Sequence, residues 1–243
     1  WSPDGSLLAV ADVTAHALVL VNPVSAQVVR SVALAGEPRD LLWNGTNSLF
    51  VSEHDAGTVA EVNPLTGIIL RRLAVGPKPS GLARVPGKNL LLVADRGLSR
   101  LQLLDLASGE VRVQVSVIRD PVYVTVTPDQ QFALVANHLP LGDGRDPLLG
   151  AALSLVNLND PREVNSIQLP AGASSVQRPV CSPDGRWAYL PDLLGRSHLP
   201  TTQLSRGWVT TSALGIIDLQ NKLIYATALF DQSVDGAANP YGA

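Results

Sequence analysis

The run Leu92-Val93-Ala94-Asp95, LVAD, is one of five related tetrapeptides: AVAD ends at Asp12, FVSE at Glu53, LVAD at Asp95, LVAN at Asn137 and YLPD at Asp192. The intervals between their last residues are 41, 42, 42 and 55. A period in the low forties, with several short strands inside each unit, marks a β-propeller blade. In such a scaffold, activity resides in the loops at the two ends of the blades.

Working outward from the tetrapeptide, each unit repeats one order of signals. A turn comes first: SPDG at Ser2–Gly5, WNGT at Trp43–Thr46, VPGK at Val85–Lys88, TPDQ at Thr127–Gln130 and SPDG at Ser182–Gly185. The apolar strand that ends in the tetrapeptide follows. After it come an alternating strand closing on Asn22, Asn63, Asp105, Asn157 or Asp218, a tight turn, and a third strand. Pro38, Pro79, Pro121, Pro179 and Pro240 introduce a fourth. Asn, Asp, Pro and Gly at these corners suit hairpins in which φ > 0 must be tolerated. With strands lettered A (innermost) to D, the chain holds five consecutive B-C-D-A units. The expectation is one all-β domain over 1–243, a propeller of four-stranded blades with units at about 1–43, 44–84, 85–126, 127–181 and 182–243.

Composition narrows the function classes. Hydrophobic residues make up 46% and charged residues 16%, which suits packed sheets rather than disorder. A net charge of -3, with no Lys/Arg cluster, gives no electrostatic footprint for nucleic acid. The single cysteine, Cys181, excludes an internal disulfide and any multi-cysteine metal or haem site, and its place before an SPDG turn predicts a small buried hydrophobe. No apolar run approaches the ~20 residues a membrane-spanning helix needs. The chain has no methionine and opens inside a repeat, so a fragment or processed form is expected.

The tetrapeptide, its acidic or Asn ending and the SPDG turn resemble the YVTN family of β-propellers over nearly the whole chain. The resemblance implies seven blades, with two beyond these five units. Each tetrapeptide acid is expected to cap a strand end by accepting nearby backbone N–H groups, rather than to form a ring of ligands.

Departures from the repeat locate the candidate site. His138–Pro147 (HLPLGDGRDP) and Leu193–Ser212 (LLGRSHLPTTQLSRGWVTTS) both lie between strands B and C, and Phe230–Pro240 (FDQSVDGAANP) lies between D and A. B–C and D–A loops emerge at one end of the blades, so the three insertions are expected to converge there. They supply His138, Asp143, Arg145, Asp146, His198, Thr201, Thr202, Gln203, Arg206, Trp208, Asp231 and Asp235 as binding-face candidates. Imidazole and carboxylate suit several divalent ions, but no spacing matches a metal motif, and GDGRD lacks the later ligands of an EF-hand. Arg206 and Trp208 are residue types enriched in interface hot spots, and Trp208 equally suits stapling a long loop to its blade. No catalytic residue is assigned: there is no GxSxG, and no Ser or Cys stands beside a His in sequence. Asn44-Gly45-Thr46 fits a glycosylation acceptor and, more simply, a hairpin turn.

A narrower resemblance rests on CSPDGRWAYLPDLLGRSHLPTTQLSRGW, then ALGIIDL and DGAANPYG. These stretches are similar to the propeller portion of bacterial cell-envelope proteins linked to c-type cytochromes of the di-haem cytochrome c peroxidase type. The resemblance places His198, Thr201, Thr202, Gln203, Arg206 and Trp208 in the family's insertion and implies a periplasmic or extracellular setting. This sequence contains no CxxCH, so haem c is expected only in a linked domain, and peroxidase-like oxidoreductase activity only in a parent protein. The expected function is a non-catalytic scaffold that docks a protein partner or linked cytochrome domain. The alternative is an enzyme or a small-ligand or metal binder with a pocket at the mouth of the same end; a purely structural repeat array is a third reading.

Overall fold

The computed structural model describes residues 1–140, 142, 146, 148–195 and 210–231. The described residues form five antiparallel sheets that follow one another along the chain, with no α-helix among them, and the fold is an all-β propeller. The chain divides into two compact units, Trp1–Gln114 and Val115–Ala243.

In the first unit, β1 (Leu8–Asp12), β2 (Ala17–Asn22) and β3 (Gln27–Ala33) make a three-stranded sheet. Next come β4 (Pro38–Trp43), β5 (Leu49–Glu53), β6 (Thr58–Val62) and β7 (Ile69–Ala74), paired in that order. The third sheet contains β8 (Pro79–Val85), β9 (Leu90–Asp95), β10 (Arg100–Asp105) and β11 (Val111–Ser116), and the boundary between units falls inside β11. The second unit continues with β12 (Pro121–Val126), β13 (Phe132–Asn137), β14 (Ala152–Asn157) and β15 (Val164–Gln168). Its fifth sheet joins β18 (Trp187–Gly195), β19 (Thr210–Asp218) and β20 (Leu223–Leu229) to two short strands, β16 (Ala173–Ser174) and β17 (Val180–Cys181).

The corners form for the reasons the residue types suggest. Each C strand closes on Asn22, Asn63, Asp105, Asn157 or Asp218, whose side-chain oxygen accepts the N–H groups two and three residues on. This bond starts the turn into strand D. Pro38, Pro79 and Pro121 each open an A strand, and the ladder to strand B slips just behind each proline. Proline has no N–H to donate, so a strand can begin on it but not continue through it.

Cores lie between successive sheets inside each unit. Leu18 and Leu20 pack with Leu49, Val51, Ala60 and Val62, and Phe50, Val59 and Leu73 pack with Leu82, Leu91 and Val93. In the second unit Leu134, Leu153, Leu155 and Ile167 meet Val176, Leu190 and Ile217. Each of these leucines is essentially removed from water and contributes about 2 kcal/mol. Two sequence expectations need correction. The fifth insertion is not wholly loop, because Leu193↔Ser212, Leu194↔Thr211 and Gly195↔Thr210 extend the B–C hairpin by three rungs. In the fifth sheet the A side does not wait for Pro179: ahead of β17, the short β16 already pairs with Leu193 and Leu194 of the hairpin extension.

Candidate functional site

Four of the five tetrapeptide end residues, Glu53, Asp95, Asn137 and Asp192, are buried, and their partners differ from sheet to sheet. Asp12 accepts the Ala15 N–H, as expected of a cap. Glu53 is fully buried; its carboxylate accepts from the Ala35 N–H at 2.8 Å, Thr58 Oγ1 at 2.6 Å and the Arg72 guanidinium at 2.9 Å. Burial raises the Glu53 carboxyl, and these donors, Arg72 first, outweigh it and hold the group below the usual range. Asp95 accepts from the Gly97 and Leu98 N–H groups and from the Gln102 amide. Asn137 departs from the capping expectation: its amide donates to the carbonyls of Val135 and Ala152 and to Ser154 Oγ. Asp192, 1% exposed, has no hydrogen-bond partner for either carboxyl oxygen among the described residues, and burial pushes it up to about 6.

At the end of the second unit where its insertions emerge, three segments are laced through backbone. Gly172 N–H donates to the Leu149 carbonyl at 2.9 Å, and Gly195 N–H donates to the Gly172 carbonyl at 2.8 Å. Leu149 belongs to the fourth B–C connection, Gly172 to the D–A connection and Gly195 to the extended fifth hairpin. Gly172 has φ +85°, a left-handed conformation that favours glycine. The N–H of Ser212, on the same hairpin, donates to Asp231 Oδ2 at 2.6 Å, which ties the start of the next D–A connection to this end.

His138 takes part in this lacing. Its backbone N–H donates to the Asp120 carbonyl, its Nε2 lies 3.0 Å from the Val176 carbonyl oxygen, and its Nδ1 lies 3.6 Å from Asp120 Oδ2. His54 stands at the same place after the second tetrapeptide; its N–H donates to the Glu37 carbonyl, and its Nδ1 lies 3.0 Å from the Pro79 carbonyl oxygen. In both positions the imidazole ties the end of strand B to the backbone of a neighbouring segment. That recurrence was legible in the sequence, since a histidine follows both Glu53 and Asn137. Asp146 serves its own turn by accepting the Leu148 N–H at 2.8 Å. Asp143, Arg145, His198, Thr201, Thr202, Gln203, Arg206, Trp208 and Asp235 lie outside the described residues. Among the described residues no group of three His, Cys, Asp or Glu side chains is placed to hold a metal ion, and no helix is long and apolar enough to cross a membrane.

The opposite end of the same two sheets holds a feature the repeat did not announce, a cavity of about 310 Å³ beside Phe132, Leu155, Leu219 and Lys222. Lys222 Nζ sits 5.4 Å above the Phe132 ring and 3.4 Å from Glu163 Oε1. Cys181 is half-buried against the nearby core; burial, then the charge of Asp129, pushes its thiol up to about 11. The Asn44-Gly45-Thr46 sequence is a turn, closed by the Asn44 N–H on the Ser48 carbonyl with Gly45 at φ +75°.

No protein-family model matches the chain, and no curated protein matches it. Among solved structures the chain is similar to Kuenenia stuttgartiensis hydrazine synthase, with a TM-score of 0.86 and 21% identity over 99% of this chain and 68% of that one. At this identity the likeness shows the fold.

Proposed function

We propose that this chain is a non-catalytic propeller scaffold of the bacterial periplasm or cell envelope, of the YVTN type, that docks a protein partner or a linked c-type cytochrome domain through the insertion end of its fourth and fifth sheets. The observation that carries the reading is the glycine-laced backbone Leu149–Gly172–Gly195, with Ser212 held to Asp231 beside it. Lacing of this kind fixes the described bases of these connections before a partner arrives and lowers the ordering cost of association. Arg206 and Trp208, in the insertion between Gly195 and Thr210, have the chemistry of interface anchors. The structural neighbour is named for an enzyme, so a propeller of this fold does occur in an enzymatic setting.

The test is titration of the protein with a c-type cytochrome domain by calorimetry. Trp208→Ala or Arg206→Ala should weaken binding by about tenfold or more, while Lys222→Ala at the opposite end should leave it unchanged. Equal effects from both ends would overturn the reading. A zinc-dependent rise in melting temperature that disappears in both His138→Ala and His198→Ala would replace it with the ligand-binding alternative.

A further inference from the structure

Asp192 differs from Glu53 and Asp95 because it lacks both of the donors that serve them. Register aligns Asp95 with Arg100, Asn137 with Ala152 and Asp192 with Ala213. Two residues further along strand C stand Gln102, Ser154 and Gly215. Gln102 donates to Asp95 and Ser154 Oγ accepts from Asn137, whereas Gly215 has no side chain to offer. The D–A connection supplies the second donor. Two residues after the ends of β3, β7, β11 and β15 stand Ala35, Gly76, Ile118 and Pro170. The Ala35 N–H donates to Glu53, and the Ile118 N–H donates to Ser154 Oγ. Pro170 has no N–H.

The surroundings do not replace what is missing. On β18, Tyr189 is the nearest titratable group along the chain. The D–A connection carries Arg178, whose guanidinium donates to the Val124 carbonyl. At the end of β20, Asp231 accepts from Ser212, while Lys222 at its other end reaches Glu163 and Tyr225 packs on Trp187. On β19, Asp218 turns to its own Gln220 and Asn221. No described group forms an ion pair or hydrogen bond with the Asp192 carboxyl, and burial alone moves it.

We propose that Asp192 holds a proton in the folded fifth sheet and that its ionisation unzips the hairpin extension beside it, which makes this end of the sheet a proton-operated element. A buried, unpaired carboxylate is costly, so ionisation favours states in which the group reaches water. The cheapest route opens the rungs Leu193↔Ser212, Leu194↔Thr211 and Gly195↔Thr210 together with the two-residue β16, because the inward rung at Leu190 is anchored in the core. The raised carboxyl pKa places the change at mildly acidic pH.

Hydrogen exchange of the amides at 193–195 and 210–212, corrected for intrinsic rate, tests this in the intact protein. Protection should fall by about tenfold between about pH 5 and about pH 7.5, and a ¹³C titration of the Asp192 carboxyl should show the same midpoint. Asp192→Asn should abolish the pH dependence. Gly215→Ser retains the carboxyl and supplies a hydroxyl where Ser154 stands, and its Cβ would meet Leu169 and Leu190 only at ordinary 3.5 Å contacts. That variant should move the midpoint to lower pH. A carboxyl titrating at or below the ordinary Asp value, or a fall in protection that survives Asp192→Asn, overturns the proposal. Both readouts are independent of any partner.

Discussion

Gly172 and Gly195 meet backbone to backbone: the Gly195 N–H donates to the Gly172 carbonyl at 2.8 Å, and a Cβ on Gly172 would lie 1.9 Å from the Gly195 carbonyl oxygen. No side chain fits that approach, and φ +85° strains any L-residue there. Gly172→Ala should therefore destabilise the second unit by about 3 kcal/mol or more, read as a fall in the denaturant midpoint. Gly5→Ala also has positive φ but meets nothing within 4 Å, so it should cost only about 1 kcal/mol.

Glu53 and Arg72 give the first unit an acid-sensitive contact. Because the Glu53 carboxyl sits below its ordinary value in the fold, its contribution is present above the unfolded-state pKa and is lost as pH falls through the folded value. Glu53→Gln should lower stability near neutral pH by about 2 kcal/mol, and the gap from the unaltered protein should narrow as pH falls below the ordinary Glu range. The sign is opposite to that of Asp192, whose raised carboxyl makes stability fall as pH rises from about 4 to about 6. Melting curves across pH for single substitutions at the two positions separate the contributions.

His138→Ala should cost about 1 kcal/mol through loss of the bond to the Val176 carbonyl. Chemical denaturation reads the loss. Increased exchange of the amides around Val176 would show that the ring ties down the D–A connection rather than serving only its own loop.

Cys181 should resist alkylation in the folded protein. With the thiol at about 11, roughly one molecule in a thousand carries the thiolate at pH 8. Iodoacetamide should label the native protein at least about a hundredfold more slowly than the urea-unfolded chain, followed by mass spectrometry.

The period of the tetrapeptide, the Asn or Asp closing each C strand and the proline opening the A strands determined the sheets and their corners from sequence alone. These signals are local: alternation, turn chemistry and a missing N–H act within a few residues of the chain. The 55-residue interval likewise drew attention to the insertions, and within the fold His138 and Asp231 bond to neighbouring segments. Tertiary structure alone decided what becomes of each tetrapeptide acid. Glu53 finds Ala35 and Arg72, Asn137 turns donor, and Asp192 loses both donors to Pro170 and Gly215. A buried polar group takes its character from the donors and acceptors that strand register and incoming connections bring to it, several of them from 15 or more residues away, and a tetrapeptide cannot encode those.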